Sequence, residues 1–213
     1  MASKPATAKT SRPRSAERYQ QRREEVVDIA ARVFAERGYH ATSIDDLSDA
    51  TGLQRGGLYH YIGGKQDLLI AIHERFLAPL LEQAREIARQ DLEAEAALRA
   101  LAHALIENIH RYRDQVAVFF HEWRTIEGDE RWTQVRQERR EFELIIADVL
   151  ERGRAEGRFR FGDTRIALLG FLGMFNYMPQ WYEPRGRMSH EAIAEQFCDI
   201  FLRGIAASDP ERA

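Results

Sequence analysis

Apolar residues recur along this chain at intervals of three and four positions, the spacing of one face of an α-helix, and no stretch alternates as a β-strand would. The pattern predicts helices over residues 21–37, 43–52, 54–61, 65–90, 93–113, 115–127, 130–156, 164–178 and 189–207. Pro79 lies inside the fourth of these and predicts a bend near Phe76, because proline removes one helical hydrogen bond. The chain is therefore predicted to be all-α.

The second and third predicted helices are short and are separated by a tight turn. Ser43 is a good N-cap, and Asp46 follows three residues later, where the acid of a capping box belongs. Gly52 can adopt the left-handed conformation that ends many helices. Helix, glycine turn and helix together predict a helix-turn-helix, whose second helix enters the DNA major groove.

Polar and aromatic residues crowd the outer side of the third predicted helix. Arg55 can contact a guanine edge or a phosphate, and Tyr59, His60 and Tyr61 can donate to phosphates. Two glycines beside them, at 56 and 57, weaken a helix but allow a partner's backbone to approach closely. The alternative interpretation is an ordinary helical hairpin with a polar outer face.

A longer series of residues surrounds this pair of helices. It consists of Phe34-Ala35-Glu36-Arg37-Gly38, Thr42, Ile44, Gly52, Leu58-Tyr59-His60-Tyr61, Lys65 and Leu68-Leu69. In order and spacing, the series resembles the DNA-binding domain of the TetR family of transcriptional repressors over about the first third of the chain. The departures are Ile62 in place of the usual Phe, Gln54 in place of a Ser-like cap, and Gly63-Gly64 in place of a polar pair.

The resemblance implies an N-terminal three-helix helix-turn-helix domain, followed by a larger helical domain for ligand binding and dimerisation. We predict a basic arm over residues 1–20, the DNA-binding domain over 21–66, the larger domain over 67–207 and a tail over 208–213. The predicted DNA-binding residues are Thr42, Ser43, Gln54, Arg55, Gly56, Tyr59, His60, Tyr61 and Lys65.

The charge of the chain is unevenly distributed around its net value of −3. Residues 1–66 carry eleven Lys or Arg against eight Asp or Glu, whereas the remainder carries twenty against twenty-six. A flexible basic arm at the N-terminus can neutralise DNA phosphates, or it can serve only as a solubilising tail. The acidic surplus of the remainder argues against nucleic acid wrapping around the larger domain.

Several other classes of protein are not supported by the sequence. Cys198 is the only cysteine, which excludes an intramolecular disulfide and a cysteine metal cluster. No run is apolar enough for a membrane span or a signal peptide, so a cytoplasmic location is expected. No nucleophile elbow or glycine-rich phosphate loop indicates catalysis, and no cofactor is expected. His103 and His110, seven positions apart, are a weak metal motif, and we expect no metal.

The last two predicted helices are apolar on nearly every side and must be buried. They can complete a monomeric core, or they can form a four-helix homodimer interface with a second copy, which is what the family resemblance implies. Gly170 and Gly173 would allow close approach of the helices. Two-fold symmetry also suits a palindromic operator.

Aromatic residues are frequent in the middle helices and predict either a packed core or a ligand cavity. The resemblance implies a cavity whose filling by a small hydrophobic effector releases the repressor from DNA. The predicted ligand-binding residues are Tyr112, Phe119, Phe120, Trp123, Phe142, Ile146, Phe171, Phe175 and Asn176. Other polar candidates are His121, Tyr177 and Gln180.

The C-terminal phrase MPQWYEPRGRMSHEAIAEQFCDIFLRGI resembles family members that control fatty-acid and steroid catabolism. Because some of those respond to acyl-coenzyme A thioesters, Arg136, Arg139 and Arg140 are candidates for contacting phosphates, although such a run is also typical of a solvated face. The alternative function is a helical small-molecule carrier or scaffold without sequence-specific DNA binding.

Overall fold

The computed structural model describes the backbone of residues 12–126 and 130–205, and the side chains of residues 15–122 and 130–205. Within these ranges the chain forms helices and no β-strand, which confirms the all-α prediction. The α-helices are α1 (Arg12–Arg37), α2 (Ile44–Thr51), α3 (Arg55–Tyr61), α4 (Lys65–Arg89), α5 (Ala94–Arg111), α6 (Arg113–Ile126), α7 (Thr133–Ala155), α8 (Thr164–Asn176), α9 (Met178–Trp181) and α10 (His190–Ile205). A 3₁₀ turn, Glu130–Trp132, precedes α7.

The chain consists of two compact units, which meet between Leu69 and Ile70, close to the predicted domain boundary. In the first unit α1, α2 and α3 pack on one another around a core that includes Val26, Ala30, Phe34, Leu47 and Leu58. In the second unit α5 packs against α10 and α7, and α7 packs against α8. Helix α4 contributes residues to both units and runs unbroken past Pro79.

The ends of α2 form as the local sequence predicts. The Ser43 hydroxyl accepts a hydrogen bond from the Asp46 amide at 3.1 Å, and the Asp46 carboxylate accepts one from the Ser43 amide at 2.7 Å. Hydrogen bonds that the Ser43 hydroxyl and the Ser43 amide donate to the carboxylate lower the pKa of Asp46. Gly52 ends the helix with φ +69°, and Gly38 follows α1 with φ +85°. Both angles lie in the left-handed region that favours glycine.

Two predicted boundaries are corrected by the structure. Helix α1 begins at Arg12 and not at residue 21, so the predicted arm of residues 1–20 is helical from Arg12 onward. The alanine, glutamate, arginine and glutamine residues of this segment are good helix formers. The prediction of a flexible arm rested instead on the positive charge of the segment. Pro179, predicted in a loop, lies in the first turn of α9, where its missing N–H costs no helical bond. The rest of the arm, the break at Gly128-Asp129 and the tail lie outside the described residues.

Cys198 lies in α10 and is 1% exposed, as expected for an interior cysteine. Burial raises the pKa of its thiol to about 11, although the nearby Arg99 guanidinium opposes the shift. Because the thiolate is the reactive form, this cysteine is almost inert near neutral pH. A redox switch through Cys198 is therefore disfavoured.

Helices α4 and α7 are joined by a bidentate ion pair on the surface of the second unit. The Arg85 guanidinium donates from Nε and Nη2 to the two carboxylate oxygens of Glu141, at 2.7 and 2.8 Å. This contact lowers the pKa of Glu141, so the pair stays charged across the neutral range. It fixes the relative placement of two helices that contribute to the cavity described below.

Candidate nucleic-acid interface and ligand cavity

Helix α3 is held from one side and exposed on the other. Leu58 and Ile62 are buried, and they anchor the helix against α1 and α2. Arg55 and His60 are exposed, and the Tyr59 side chain is 49% exposed. The predicted outer face of α3 is therefore free to meet a partner.

Arg55 is oriented by an acid at the start of α2. Its Nε and Nη2 atoms both donate to the carboxylate of Asp45, and this hydrogen bonding lowers the pKa of Asp45. A depressed carboxyl pKa means that the ion pair is present at neutral pH and is lost only as the pH falls through that pKa. The pair occupies one edge of the guanidinium and leaves Nη1 and the second Nη2 proton for a base or phosphate.

Asp45→Asn is expected to lower the ratio of operator affinity to non-specific DNA affinity by about threefold to fivefold. Asparagine has the shape of aspartate but lacks the charge that holds the Arg55 guanidinium. Asp49→Asn is the matched control, since Asp49 is an exposed acid of the same helix. Both variants remove one negative charge near the DNA and should raise non-specific binding alike. Titration of operator and scrambled duplexes measures the ratio. Equal ratios for the two variants would mean that Asp45 does not position Arg55.

Tyr19 is a contact residue of α3 that the sequence did not reveal. Its hydroxyl donates to the His60 carbonyl at 3.0 Å, and its ring stacks on Tyr61 with centroids 5.2 Å apart. Tyr61 is half-buried, so it braces α3 against α1. The only signal in the sequence was one aromatic residue within a charged segment.

Three of the predicted DNA-binding residues make contacts inside the domain, and a fourth makes no side-chain capping bond. Thr42 is buried and its hydroxyl donates to the Gly38 carbonyl at 2.8 Å, so its side chain does not reach the surface. Ser43 caps α2 as described. The Lys65 ammonium lies 4.3 Å from the centroid of the Tyr39 ring, a cation–π distance. Gln54 stands at the N-cap of α3, is exposed, and makes no side-chain capping bond.

Gly56 lies on the exposed side of α3. A Cβ atom built there would meet nothing within 4 Å, whereas one at Gly57 would meet Leu53 at 3.9 Å. Packing within the domain therefore gives no reason for glycine at 56. The open space is consistent with the predicted close approach of another molecule at this position.

The second unit contains a cavity whose empty space, including its open mouth, is about 570 Å³. Five helices form its wall, and most of the lining is apolar. The lining residues are Phe76, Leu77, Leu80, Leu105, Asn108, Ile109, Val116, Phe119, Phe120, Arg139, Phe142, Glu143, Leu172 and Asn176. Four of the predicted ligand-binding residues are among them: Phe119, Phe120, Phe142 and Asn176.

The other predicted ligand-binding residues lie elsewhere. Phe171 and Phe175 pack against Phe201 and Phe197 between α8 and α10, with ring centroids 5.2 and 5.4 Å apart. Ile146 is core, and Tyr112 ends α5 beneath the guanidinium groups of two arginines. The Trp123 side chain lies outside the described residues. Of the further polar candidates, His121 and Gln180 lie 3.4 Å apart and Tyr177 is exposed.

The charged groups in the cavity wall neutralise each other. The Arg139 Nε donates to the Glu143 carboxylate at 2.9 Å, and the guanidinium lies 5.6 Å from the centroid of the Phe119 ring. Asn108 is a different case, because it is 5% exposed and its Nδ2 has no hydrogen-bond partner within the described residues. The wall therefore offers an incoming molecule an apolar surface and a compensated ion pair.

An apolar stripe lies on the surface of α8 and α10. Ile166 and Tyr177 are each 67% exposed, Leu169 is 52% exposed and Ile200 is 63% exposed. A Cβ atom at Gly173 would meet nothing within 4 Å. This stripe is the exposed part of the two helices that the sequence predicted to be buried.

The two histidines of the weak metal motif, His103 and His110, make separate contacts. His103 contacts Glu195 at 2.5 Å, and His110 contacts the Tyr182 hydroxyl at 2.7 Å. No group of three His, Cys, Asp or Glu residues able to hold a metal ion occurs in the described part of the chain. None of the helices described is both long and apolar enough to cross a membrane.

Known proteins match both units. Residues 26–72 match the family described as bacterial regulatory proteins, tetR family, and residues 91–205 match the one described as tetracyclin repressor-like, C-terminal domain. The chain is 34% identical over 187 residues to the HTH-type transcriptional repressor KstR2 of Rhodococcus jostii (strain RHA1), with 87% of this chain and 92% of the relative covered.

Two solved structures extend the likeness to three dimensions. The ketosteroid transcriptional regulator KstR2 of Mycobacterium tuberculosis has a TM-score of 0.83 at 28% identity, covering 88% of this chain and 96% of that one. AibR, in complex with isovaleryl coenzyme A and operator DNA, has a TM-score of 0.75 at 26% identity, covering 84% of this chain and 97% of that one.

Proposed function

The chain belongs to the TetR family of bacterial transcriptional regulators, and from this premise we propose that it is a repressor released from its operator by an acyl-coenzyme A thioester. It is a regulator and not an enzyme, as its relatives of high coverage are. Family membership also removes the alternative of a carrier that does not bind DNA. A regulator of bacterial genes works in the cytoplasm, where we place this protein.

The DNA-binding surface of the proposal is the outer face of α3. Arg55, Gly56 and Tyr59 are exposed on it, and Asp45 supports the first of them. A major groove accepts a helix presented in this way, and side chains at its N-terminal end contact the base edges. Two copies related by a two-fold axis would bind two half-sites of a palindromic operator.

The dimer of the proposal forms through α8 and α10. Their exposed apolar stripe is the kind of surface that marks an interaction site, because contiguous exposed apolar side chains are unfavourable in water. A second copy of the same stripe is self-complementary under two-fold symmetry. Gly173, where a Cβ atom would meet nothing within 4 Å, would let the backbones of the two α8 helices come close, whereas a Cβ atom at Gly170 would contact Phe201 of the same chain.

The observation that carries the effector proposal is the cavity. Its mostly apolar lining with a few polar side chains is typical of small-molecule sites. The relatives indicate the class of ligand, since one is named a ketosteroid regulator and another was solved with isovaleryl coenzyme A. We place the acyl group in the cavity and the coenzyme nearer the surface, where Arg140 is exposed on α7 beside Arg136.

Saturating acyl-coenzyme A is expected to raise the operator Kd about tenfold or more, because allosteric coupling in such systems typically spans about 5- to 150-fold. The measurement is fluorescence anisotropy on DNA from upstream of the protein's own gene, at two salt concentrations, with excess non-specific competitor. The probes are isovaleryl-, octanoyl- and cyclohexanecarboxyl-coenzyme A. Free coenzyme A and the free acids are the controls. Operator binding that no thioester weakens would refute the effector class while leaving the regulator intact.

A further inference from the structure

The body of the first unit carries little positive charge with which to bind DNA. Residues 24–69, which include all of α2 and α3, have four Lys or Arg against eight Asp or Glu. Two of the four basic side chains are paired with acids of α2, Arg55 with Asp45 and Arg37 with Asp46. DNA carries a negative charge at every phosphate, and much of the affinity of a DNA-binding protein comes from Lys and Arg that neutralise those charges. This part of the chain therefore offers few cations to the phosphates.

Positive charge is concentrated instead in the N-terminal part of α1, residues 12–23, which we call the α1 extension. It has five arginines and a single acid, Glu17. The sequence alone left open whether the charge near the N-terminus serves DNA binding or only solubility. The structure places these arginines on a helix that continues into the core of the first unit. The positions of Arg14 and Arg18 are one turn apart and therefore lie on one side of that helix.

Tyr19 holds the α1 extension beside the C-terminal end of α3. Its hydroxyl donates to the His60 carbonyl at 3.0 Å, and its ring lies edge-on to the His60 ring with centroids 5.3 Å apart. Tyr19 is 38% exposed and His60 is exposed as well, so the two residues belong to one continuous surface. The exposed face of α3 therefore continues onto the α1 extension, next to Arg18.

The arginines of the α1 extension differ in what their side chains do. Arg22 is held inside the domain, because its Nη2 donates to the Thr51 carbonyl at 3.1 Å and its Nη1 donates to Glu25 at 2.8 Å. Arg23 is half-buried, whereas Arg18 is exposed. Arg22 therefore attaches the extension to the end of α2, while Arg18 is presented to solvent beside α3.

We propose that the α1 extension is a second DNA-binding surface, in which Arg18 and Arg14 neutralise phosphates that flank the bases contacted by α3. This assignment rests on the proposed function, because it requires α3 to face the DNA. Contacts to phosphates position a protein on the duplex but carry no direct sequence information. The α1 extension supplies affinity and salt dependence, and α3 supplies the choice of operator.

The test is the salt dependence of DNA binding by the full-length protein. Each neutralised phosphate contributes about 0.9 to the slope of log Kd against log salt concentration. A dimer carries Arg18 twice, so Arg18→Gln should lower the slope by about 1.8, and Arg14→Gln combined with Arg18→Gln should lower it by about 3.6. Operator and scrambled duplexes should lose affinity alike, because phosphates are common to both. Thermal unfolding should not change for Arg18→Gln, since Arg18 is exposed.

Arg32→Gln is the matched control for the lost charge. Arg32 is an exposed arginine of the same helix, about 21 Å further along it, and its replacement should leave the slope unchanged. Tyr19→Leu tests what places the extension. Once the Tyr19 contacts are removed, Arg18→Gln should lower the slope by clearly less than it does in the parent protein, because two residues that act together are not additive.

Four results would count against the assignment, and they are distinguishable. An unchanged slope when both Arg14 and Arg18 are replaced would leave the α1 extension as a solubilising segment. An equal fall for Arg18→Gln and Arg32→Gln would reflect net charge and not contact with phosphates. Full additivity of Tyr19→Leu and Arg18→Gln would exclude Tyr19 as the residue that places the extension. A parent protein that binds no operator would refute the proposed function and this assignment with it, whereas the other three results leave the proposed function intact.

Discussion

Replacing Leu169 with glutamate is expected to convert the dimer into a monomer and to weaken operator binding by about a hundredfold or more. Leu169 lies in the apolar stripe of α8 and is 52% exposed in a single chain. Burying an unpaired carboxylate against the same stripe of a second copy would cost several kcal/mol, and about 2.7 kcal/mol already corresponds to a hundredfold. A monomer also loses the gain that two linked half-sites provide.

Sedimentation velocity at micromolar concentration, followed by operator titration, measures both effects of the Leu169 change. Leu144→Glu is the matched control, because Leu144 is 56% exposed but belongs to α7 and not to α8 or α10. That variant should remain dimeric and bind the operator normally. A dimeric Leu169→Glu protein would place the subunit interface on another surface.

Glutamine at Gly56 is expected to stabilise the first unit while reducing operator affinity about tenfold or more. The position is helical, and the space that a Cβ atom would enter is open, so the new side chain meets no obstacle within the domain. Replacing glycine by a better helix former inside a helix is worth roughly 0.5–1 kcal/mol. The same side chain projects from the outer face of α3, where it would separate the helix from DNA, and tenfold corresponds to about 1.4 kcal/mol.

Chemical denaturation and operator titration of the same preparation test the two opposite effects of the Gly56 change. Gly56→Ala serves as the graded control, since it gains helix stability with only a methyl group added. Its loss of affinity should be smaller than that of Gly56→Gln. Normal operator binding by both variants would show that DNA does not approach the outer face of α3.

The helix-turn-helix could be predicted because its signals are local. The capping box at Ser43 and Asp46 and the left-handed turn at Gly52 depend on a few neighbouring residues, and the structure confirms them. The start of α1 at Arg12 was missed, because charge and helix propensity gave opposite indications there. The Arg55–Asp45 ion pair joins two helices across ten positions and has no local signal.

The cavity was only partly predictable, for a geometric reason. Periodicity tells which face of a helix turns inward, but it does not tell whether the facing helix leaves a gap. Phe142 and Phe175 therefore looked alike in sequence, although one lines the cavity and the other packs on Phe197. The sequence did indicate that Asn108 is an unusual buried polar residue, because it follows Leu105 by three positions in an otherwise apolar stripe.

The unbroken course of α4 has a consequence for how this protein can evolve. The exposed outer-face residues of α3 precede α4, and every residue that lines the cavity is Phe76 or later. The proposed function therefore assigns operator choice and effector choice to separate stretches of the gene. Recombination between relatives near residue 70 would exchange one specificity and keep the other. The junction has to conserve length, because each inserted residue turns the remainder of a helix by about 100°. Insertions and deletions are therefore tolerated in loops elsewhere, whereas the number of residues in this helix has to stay constant.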